Sequence, residues 1–316
     1  MLIFIAALVL GFLLLMWSAN TFAENALLLG QHFNISKILI GVVILGFGTS
    51  APEFLVSALS AWQGNAGLAI GNAIGSNSTN ILLVLGVTLC ILQIKIDAEL
   101  IRKNFMLLLA ATVLFSLLII DRQLNTIDGV ILAIALIVTL YFLSRFKEQI
   151  NNSTDKTSHT QNPAMPKIVA DLLIGLAVLL ASSKLVVWSA TEIALHLGVS
   201  DLIIGLTIVA LGTSLPELAT CIASAMKKHG ELALGNVLGS NIFNTLGVTA
   251  IASLITTYNL PKQFFARDYT VMLIATGVLF LLVLIFLRKK FIPRGFGLFF
   301  IAGYTAYMLL IYNQTQ

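Results

Sequence analysis

Glu53 and Glu217 pose the chemical question in this chain. Among 14 acidic residues, only these two fall deep inside long apolar stretches. A carboxylate at membrane depth is expensive and is by default functional. No Lys or Arg stands at comparable depth in any apolar stretch to pair with either one. The natural partner for two such carboxylates is a bound cation. Thr49 and Ser50 precede Glu53 by four and three residues, which puts all three on one helical face, and Thr213, Ser214 and Glu217 repeat the arrangement. Pro52 cannot donate to the carbonyl of Gly48, and Pro216 cannot donate to that of Gly212, so each helix is expected to break beside its glutamate. Broken backbone is tolerated in a membrane where it is buried in protein or lines a wet cavity, and there its carbonyls can ligate a cation.

A second polar line follows each glutamate. Asn72, Ser76 and Asn80 stand at i, i+4 and i+8, and Asn236, Ser240 and Asn244 repeat them. Beside these lines run Gly71 and Gly75, and Gly235 and Gly239, spaced for close helix approach. The glycines are assigned to packing. Ser76, Asn80, Ser240 and Asn244 are assigned to ligation, and Asn77 and Asn241 are expected to bond the broken backbone of the partner helix. Together with the two glutamates and the hydroxyls of Thr49, Ser50, Thr213 and Ser214, this is an all-oxygen inventory. Calcium takes 6–8 such oxygens, and two carboxylates neutralise a divalent charge. Neither His nor Cys stands in the motif, which argues against a transition metal. Magnesium, which dehydrates reluctantly, suits it less well.

The residues that carry this chemistry belong to a repeat. Residues 32–82 and 196–246 superimpose without gaps at an offset of 164 and agree at 21 of 51 positions. The identities include Gly48-Thr49-Ser50-x-Pro52-Glu53 against Gly212-Thr213-Ser214-x-Pro216-Glu217. They also include Gly71-Asn72-x-x-Gly75-Ser76-Asn77-x-x-Asn80 against Gly235-Asn236-x-x-Gly239-Ser240-Asn241-x-x-Asn244. A duplication of this length governs the fold.

Composition says where the repeat lies. Hydrophobic residues are 58% of the 316 and charged residues 10%, well below the usual soluble share of about 25%. The expected class is an all-α integral membrane protein in the lipid bilayer. A span needs about 20 apolar residues, and ten are predicted: 2–18, 37–60, 68–92, 104–120, 126–146, 168–190, 201–226, 232–256, 269–288 and 295–313. The first could pass for a signal peptide, but it lacks a basic leader, and Trp17-Ser18-Ala19 recurs as Trp188-Ser189-Ala190. It is therefore read as a retained span. The expected organisation is a first five-helix repeat (1–147), a polar cytoplasmic linker (148–167) and a second five-helix repeat (168–316).

Five spans per half place the second half in opposite polarity, giving two inverted repeats with broken helices at a mid-membrane site. With both termini outside, 14 Lys and Arg fall on the cytoplasmic side and 4 outside (Arg122, Lys184, Lys262 and Arg267). The expected location is a plasma membrane, the inner membrane in a bacterium. The net charge of +4 is modest and spread over loops, so no nucleic-acid partner is expected, and no obligatory protein partner is evident. Cys90 and Cys221 lie far apart in apolar stretches and suggest neither a disulfide nor a metal cluster. No nucleophile and base stand at an interpretable spacing, so an intramembrane hydrolase is disfavoured.

The paired motifs resemble the alpha-repeats of the sodium/calcium exchanger family, within the cation/calcium antiporter superfamily, and most of all its short prokaryotic ten-helix members. The resemblance implies that Glu53 and Glu217 are shared Ca²⁺ and Na⁺ ligands. It places Thr49, Ser50, Thr213 and Ser214 around sodium sites, with help from Ser76, Ser240 and carbonyls near Gly46 and Ala210. It puts Asn80 and Asn244 in the middle of the cluster. It further implies electrogenic exchange of several Na⁺ for one Ca²⁺, with the first and sixth spans sliding across a rigid eight-helix core. No enzymatic activity and no cofactor are implied; the ions are the substrates. Some members carry Asp where this chain has Asn244, which weakens a potassium-dependent reading. The GNxxE-type motif of the proton-coupled branch is absent, as are the long calcium-sensing cytoplasmic domains of animal exchangers. A Ca²⁺/H⁺ or broader cation antiporter is the alternative within the superfamily, and a passive cation channel the alternative in another class.

Overall fold

The computed structural model describes residues 1–33, 35–95, 98–145, 163–198, 210–287 and 289–315. It is all-helical apart from two short ladders. The first half comprises α1 (Leu2–His32), α2 (Lys37–Thr49), α3 (Ala51–Trp62), α4 (Gly67–Ile91), α5 (Lys103–Leu118) and α6 (Thr126–Arg145). The second half comprises α7 (Met165–His196), α8 (Leu215–Met226), α9 (Gly230–Ile255), α10 (Phe264–Phe286) and α11 (Gly295–Asn313). Among the described residues, 7 of these helices are long and apolar enough to cross a membrane, and the bent pair α2–α3 brings the number to 8. Helices α5 and α8 are shorter apolar helices. This is a multi-pass integral membrane protein. Much of the linker expected at 148–167, and the start of the seventh expected span, lie outside the described residues.

Two helices differ from the rest in length and packing. Helices α1 and α7 run for 31 and 32 residues, well beyond the predicted 2–18 and 168–190. At 1.5 Å per residue each is more than about 45 Å long, against a hydrocarbon core of about 30 Å. Helix α7 begins at Met165 with a proline in its first turn, so the last residues of the expected linker are already helical. The two lie along each other more extensively than any other pair of elements. Small residues make this possible: a Cβ on Gly11 would stand 2.9 Å from Val186 Cγ2, and one on Gly175 would stand 2.9 Å from the backbone of Phe22.

Helices α4 and α9 form the centre, with 72% and 83% of their apolar windows buried against 22–28% for α1, α6, α7 and α11. The outer helices turn large apolar side chains such as Leu13, Ile137, Leu173 and Leu298 outward, as lipid contact requires. Helix α9 packs against α2 at backbone distance, since a Cβ on Gly239 would lie 2.2 Å from the Val42 carbonyl oxygen and one on Gly235 would lie 2.3 Å from that of Ile38. The packing expected of these two glycines is therefore present. At Gly71 and Gly75 no described residue comes within 4 Å of such an atom. Residues 202 and 206, which correspond to 38 and 42, lie outside the described residues.

The two ladders were not foreseen from an all-α reading. Strand β1 (Ile94–Lys95) pairs antiparallel with β4 (Phe291–Ile292), and β2 (Gln123–Leu124) pairs antiparallel with β3 (Tyr258–Asn259). Each ladder joins one half of the chain to the other. Strands β1 and β3, which follow the second motif helix of each copy, stand 164 residues apart, the offset of the repeat.

Candidate cation site

Each glutamate sits in the first turn of a helix that begins at a break. Helix α2 ends at Thr49, Ser50 is non-helical at φ −77°, ψ 2°, and α3 restarts with Pro52 in its first turn, bent 42° from α2. Ser214 takes the same conformation at φ −88°, ψ 4°, and α8 restarts with Pro216. Proline fits there because the first turn has no intrahelical acceptor for its missing N–H. The expected breaks are thus present in both copies. Glu53 and Glu217 occupy the N-terminal turns of α3 and α8, where unpaired N–H groups and the helix dipole favour a negative charge. Both are fully buried.

The remaining predicted residues gather around them. Thr49, Ser50, Ser76, Asn80, Ser214, Ser240 and Asn244 are buried with them, while Thr213 is half-buried. Ser50 Oγ donates to Glu217 Oε1 at 3.2 Å, and Ser240 Oγ lies 3.4 Å from the same oxygen. Ser240 Oγ also lies 3.4 Å from the carbonyl oxygen of Gly46 and 3.3 Å from Thr49 Oγ1. Ser76 and Thr213 close no hydrogen bond to Glu53, whose carboxylate oxygens are both unpaired. Residues from both halves therefore converge on one buried polar cluster.

Many buried acceptors among these residues are unused. Both carboxylate oxygens of Glu53, Glu217 Oε2, Ser214 Oγ, Asn80 Oδ1 and Asn244 Oδ1 are buried without a hydrogen-bond partner. A buried polar atom left unpaired costs about 1–3 kcal/mol. Oxygens of this kind are the donors that a hard cation uses. Among the described residues no group of three or more His, Cys, Asp and Glu is suited to a metal, so the donors are two carboxylates and neutral oxygens. That composition suits calcium or sodium rather than a transition metal.

Local winding helps to aim the asparagines. Asn80 opens a π-helical turn at Asn80–Val84, and Asn244 lies in another at Phe243–Val248. Such widened turns recur at functional sites, because they free backbone groups and rotate side chains off the regular stripe. Among the described residues, Asn77 and Asn241 do not bond the broken helices as expected. Asn77 Nδ2 donates to Thr245 Oγ1 at 2.8 Å, Asn80 Nδ2 donates to Asn241 Oδ1 at 3.2 Å, and Asn241 Nδ2 reaches the Asn77 carbonyl at 3.4 Å. These amides tie α4 to α9, because those helices are the ones in direct contact there. Nor are the freed carbonyls left open to the cluster in equal measure. That of Gly212 accepts from Ser183 Oγ of α7 at 3.0 Å. Ser183, Thr245 and Ser57 were not singled out in the sequence, and Cys221, which stands at the position matching Ser57, was read only as an isolated cysteine.

A polytopic helical membrane protein with a buried cluster of carboxylate, hydroxyl and amide oxygens shared between two repeated units is a cation transporter by class. The comparisons with known proteins specify it further. The family model described as sodium/calcium exchanger protein matches residues 3–145 and 167–313. The chain is 38% identical over 309 residues to the putative antiporter CaxA of Alkalimonas amylolytica, covering 96% of this chain and 97% of that one. It is 34% identical to the inner membrane protein YrbG of Escherichia coli (strain K12), covering 99% and 98%. Among solved structures it resembles the sodium-calcium exchanger NCX_Mj soaked without Na⁺ and Ca²⁺, with a TM-score of 0.85, 34% identity and 99% coverage of both chains. The chain belongs to the sodium/calcium exchanger family, whose members are transporters and not enzymes.

Proposed function

We propose that this protein exchanges Na⁺ for Ca²⁺ by alternating access. Glu53 and Glu217 bind the cations in common, with Thr49, Ser50, Ser76, Asn80, Thr213, Ser214, Ser240 and Asn244 completing the coordination. The observation that carries this reading is the cluster of unsatisfied oxygens around two buried glutamates at the N-terminal ends of two broken helices. A single cluster with one shared carboxylate pair favours exchange over simultaneous passage, because one ion must leave before the other enters. The exchange activity named for NCX_Mj supports the same choice of ions.

The architecture that accompanies this function is ten spans in two inverted five-helix repeats. It counts α2–α3 as one broken span and α8, with the residues before it, as its counterpart. The cross-half ladders, with β1 and β3 at the repeat offset, support it. So does the 14-to-4 distribution of basic residues, which places both termini outside and the 148–167 linker in the cytoplasm. The inner-membrane name of the Escherichia coli relative supports that location. Helices α1 and α7, long, paired and little buried, are the moving pair. Their large mutual contact lets them travel as one body over the α4–α9 centre.

The test is calcium uptake into vesicles of purified protein with and without an outward Na⁺ gradient. The expected result is uptake that requires the gradient and, with more than two Na⁺ leaving for each Ca²⁺ that enters, makes the interior negative. Uptake that ignores Na⁺ and follows a pH gradient would assign the protein to proton-coupled exchange. Uptake that needs no counter-ion would make it a channel.

A further inference from the structure

We propose that Asn72 and Asn236 are positioning residues, each fixed by its own half of the molecule and each aiming the threonine hydroxyl of the opposite half into the cation site. The inference rests on the reading above, in which Thr49 and Thr213 are ligands.

Two chains of contacts carry it, one from each copy. In the first, Ser57 Oγ donates to the Ala69 carbonyl at 2.9 Å, and Asn72 Nδ2 donates to Ser57 Oγ at 3.0 Å and to the Glu53 carbonyl at 3.3 Å. Asn72 Oδ1 then receives Thr213 Oγ1 at 3.5 Å. In the second, Cys221 Sγ donates to the Ala233 carbonyl at 3.5 Å, and Asn236 Nδ2 donates to Cys221 Sγ at 3.3 Å. Asn236 Oδ1 then receives Thr49 Oγ1 at 3.1 Å. Every member of the second chain is the member of the first displaced by 164 residues. Two independent copies of one crossed arrangement are not a packing accident.

The chemistry follows from counting donors. An asparagine amide has one acceptor end and one donor end. The donor end is committed within its own half, so only the acceptor end can face the threonine. A threonine hydroxyl has one hydrogen. Thr49 spends it on acceptors, Asn236 Oδ1 at 3.1 Å or the Leu45 carbonyl at 2.9 Å. The lone pairs of Thr49 are left for a cation. Without the amide, Thr49 keeps only the Leu45 carbonyl of its own helix as acceptor, and the contact that fixes the hydroxyl relative to the opposite half is lost. The crossing also ties the two half-sites together: the ligand of one half is ready only while the other half stands in place. The chains differ in residue type at a single link, and Asn72 has an additional bond to the Glu53 carbonyl. Ser57 is a good acceptor for an amide N–H, whereas the sulfur of Cys221 is a weak one. The arm that holds Asn236, and through it Thr49, is therefore the softer of the two.

The experiment reads Ca²⁺-dependent thermal stabilisation of purified protein in Na⁺-free buffer, alongside the half-saturating Ca²⁺ and the maximal rate of Na⁺-driven uptake. Groups that orient metal ligands are typically worth about 10–100-fold in affinity. Asn72→Leu and Asn236→Leu are expected to raise the half-saturating Ca²⁺ by about tenfold or more, with the melting temperature in cation-free buffer close to the parent's. A purely structural role would lower the cation-free melting temperature and the maximal rate and leave the half-saturating concentration alone, and that result overturns the inference. Where a leucine variant does not fold, the milder exchanges decide. Ser57→Cys should raise half-saturation and Cys221→Ser should lower it; parental values in both overturn the inference. Glu53→Gln, measured in parallel, separates the two levels. If it binds Ca²⁺ as the parent does, the site assignment itself has failed, whereas lost binding there with parental asparagine variants rejects the positioning role alone.

Discussion

The half-site around Glu53 and the half-site around Glu217 are built from the same residues at an offset of 164, yet the protein supports them differently. Glu217 has one carboxylate oxygen within hydrogen-bond reach of Ser50 and Ser240, whereas both oxygens of Glu53 are unpaired. The freed carbonyl of Gly212 is capped by Ser183; with Trp17-Ser18-Ala19 laid on Trp188-Ser189-Ala190, Phe12 stands at the matching place in α1. Gly46 meets the backbone of α9 where the second copy carries Ala210. The turn between the motif helices puts Gly64 at φ +78° in the first copy and Lys228 at φ +63° in the second. An ion pair from Lys227 to Glu24 ties α8 to α1, but its equivalents, Gln63 and Leu195, cannot form one. Duplication supplied two equal frames. The structure holds one oxygen of Glu217 with two serine hydroxyls and leaves Glu217 Oε2 and both oxygens of Glu53 without a hydrogen-bond partner.

The largest effects should fall where the halves are equal. Glu53→Gln and Glu217→Gln are each expected to reduce Na⁺-dependent calcium uptake to background, since neither half can coordinate alone. The comparison sharpens in cation-free buffer, where Glu53→Gln should raise the melting temperature more than Glu217→Gln, because it relieves the carboxylate that has no partner. Near-parental transport by either variant would make that glutamate structural.

Gly46→Ala tests whether the halves are interchangeable. Alanine is native at the matching position 210, yet a Cβ on Gly46 would stand 2.9 Å from the backbone of Gly239. Overpacking of this kind costs about 1–3 kcal/mol, and thermal unfolding should show the loss. A parental melting temperature would mean that α2 and α9 can part without cost. Lys228→Gly should stabilise by about 1 kcal/mol, because a left-handed conformation strains a residue with a Cβ, and Gly64→Ala should destabilise by a similar amount. The smallest effect is expected for Glu24→Gln. Its pair with Lys227 is solvent-exposed, and such pairs contribute about 1 kcal/mol or less and weaken further in salt.

Much of this organisation was legible in the residues. The duplicated Gly-Thr-Ser-x-Pro-Glu gave both breaks, because proline at a fixed distance from glycine acts through backbone chemistry that no tertiary contact overrides. Burial of Glu53 and Glu217 followed from the length of the apolar segments around them. What escaped was set by partners distant in sequence. Asn77 and Asn241 were aimed at the wrong helix, because spacing along one helix does not say which neighbour faces it. The excess length of α1 and α7 was hidden by polar residues such as Asn20, Glu24 and Gln31, which end a hydropathy window but not a helix. The ladders of two residues each carry too little pattern to be read from sequence at all.

The central claim is that the two halves hold one shared site. Calcium titration of purified protein in Na⁺-free buffer, compared with Glu53→Gln and Glu217→Gln, tests it most directly. One ion per chain is expected in the parent and none in either variant. Two ions per chain, with one surviving in each variant, would show two independent half-sites and contradict it.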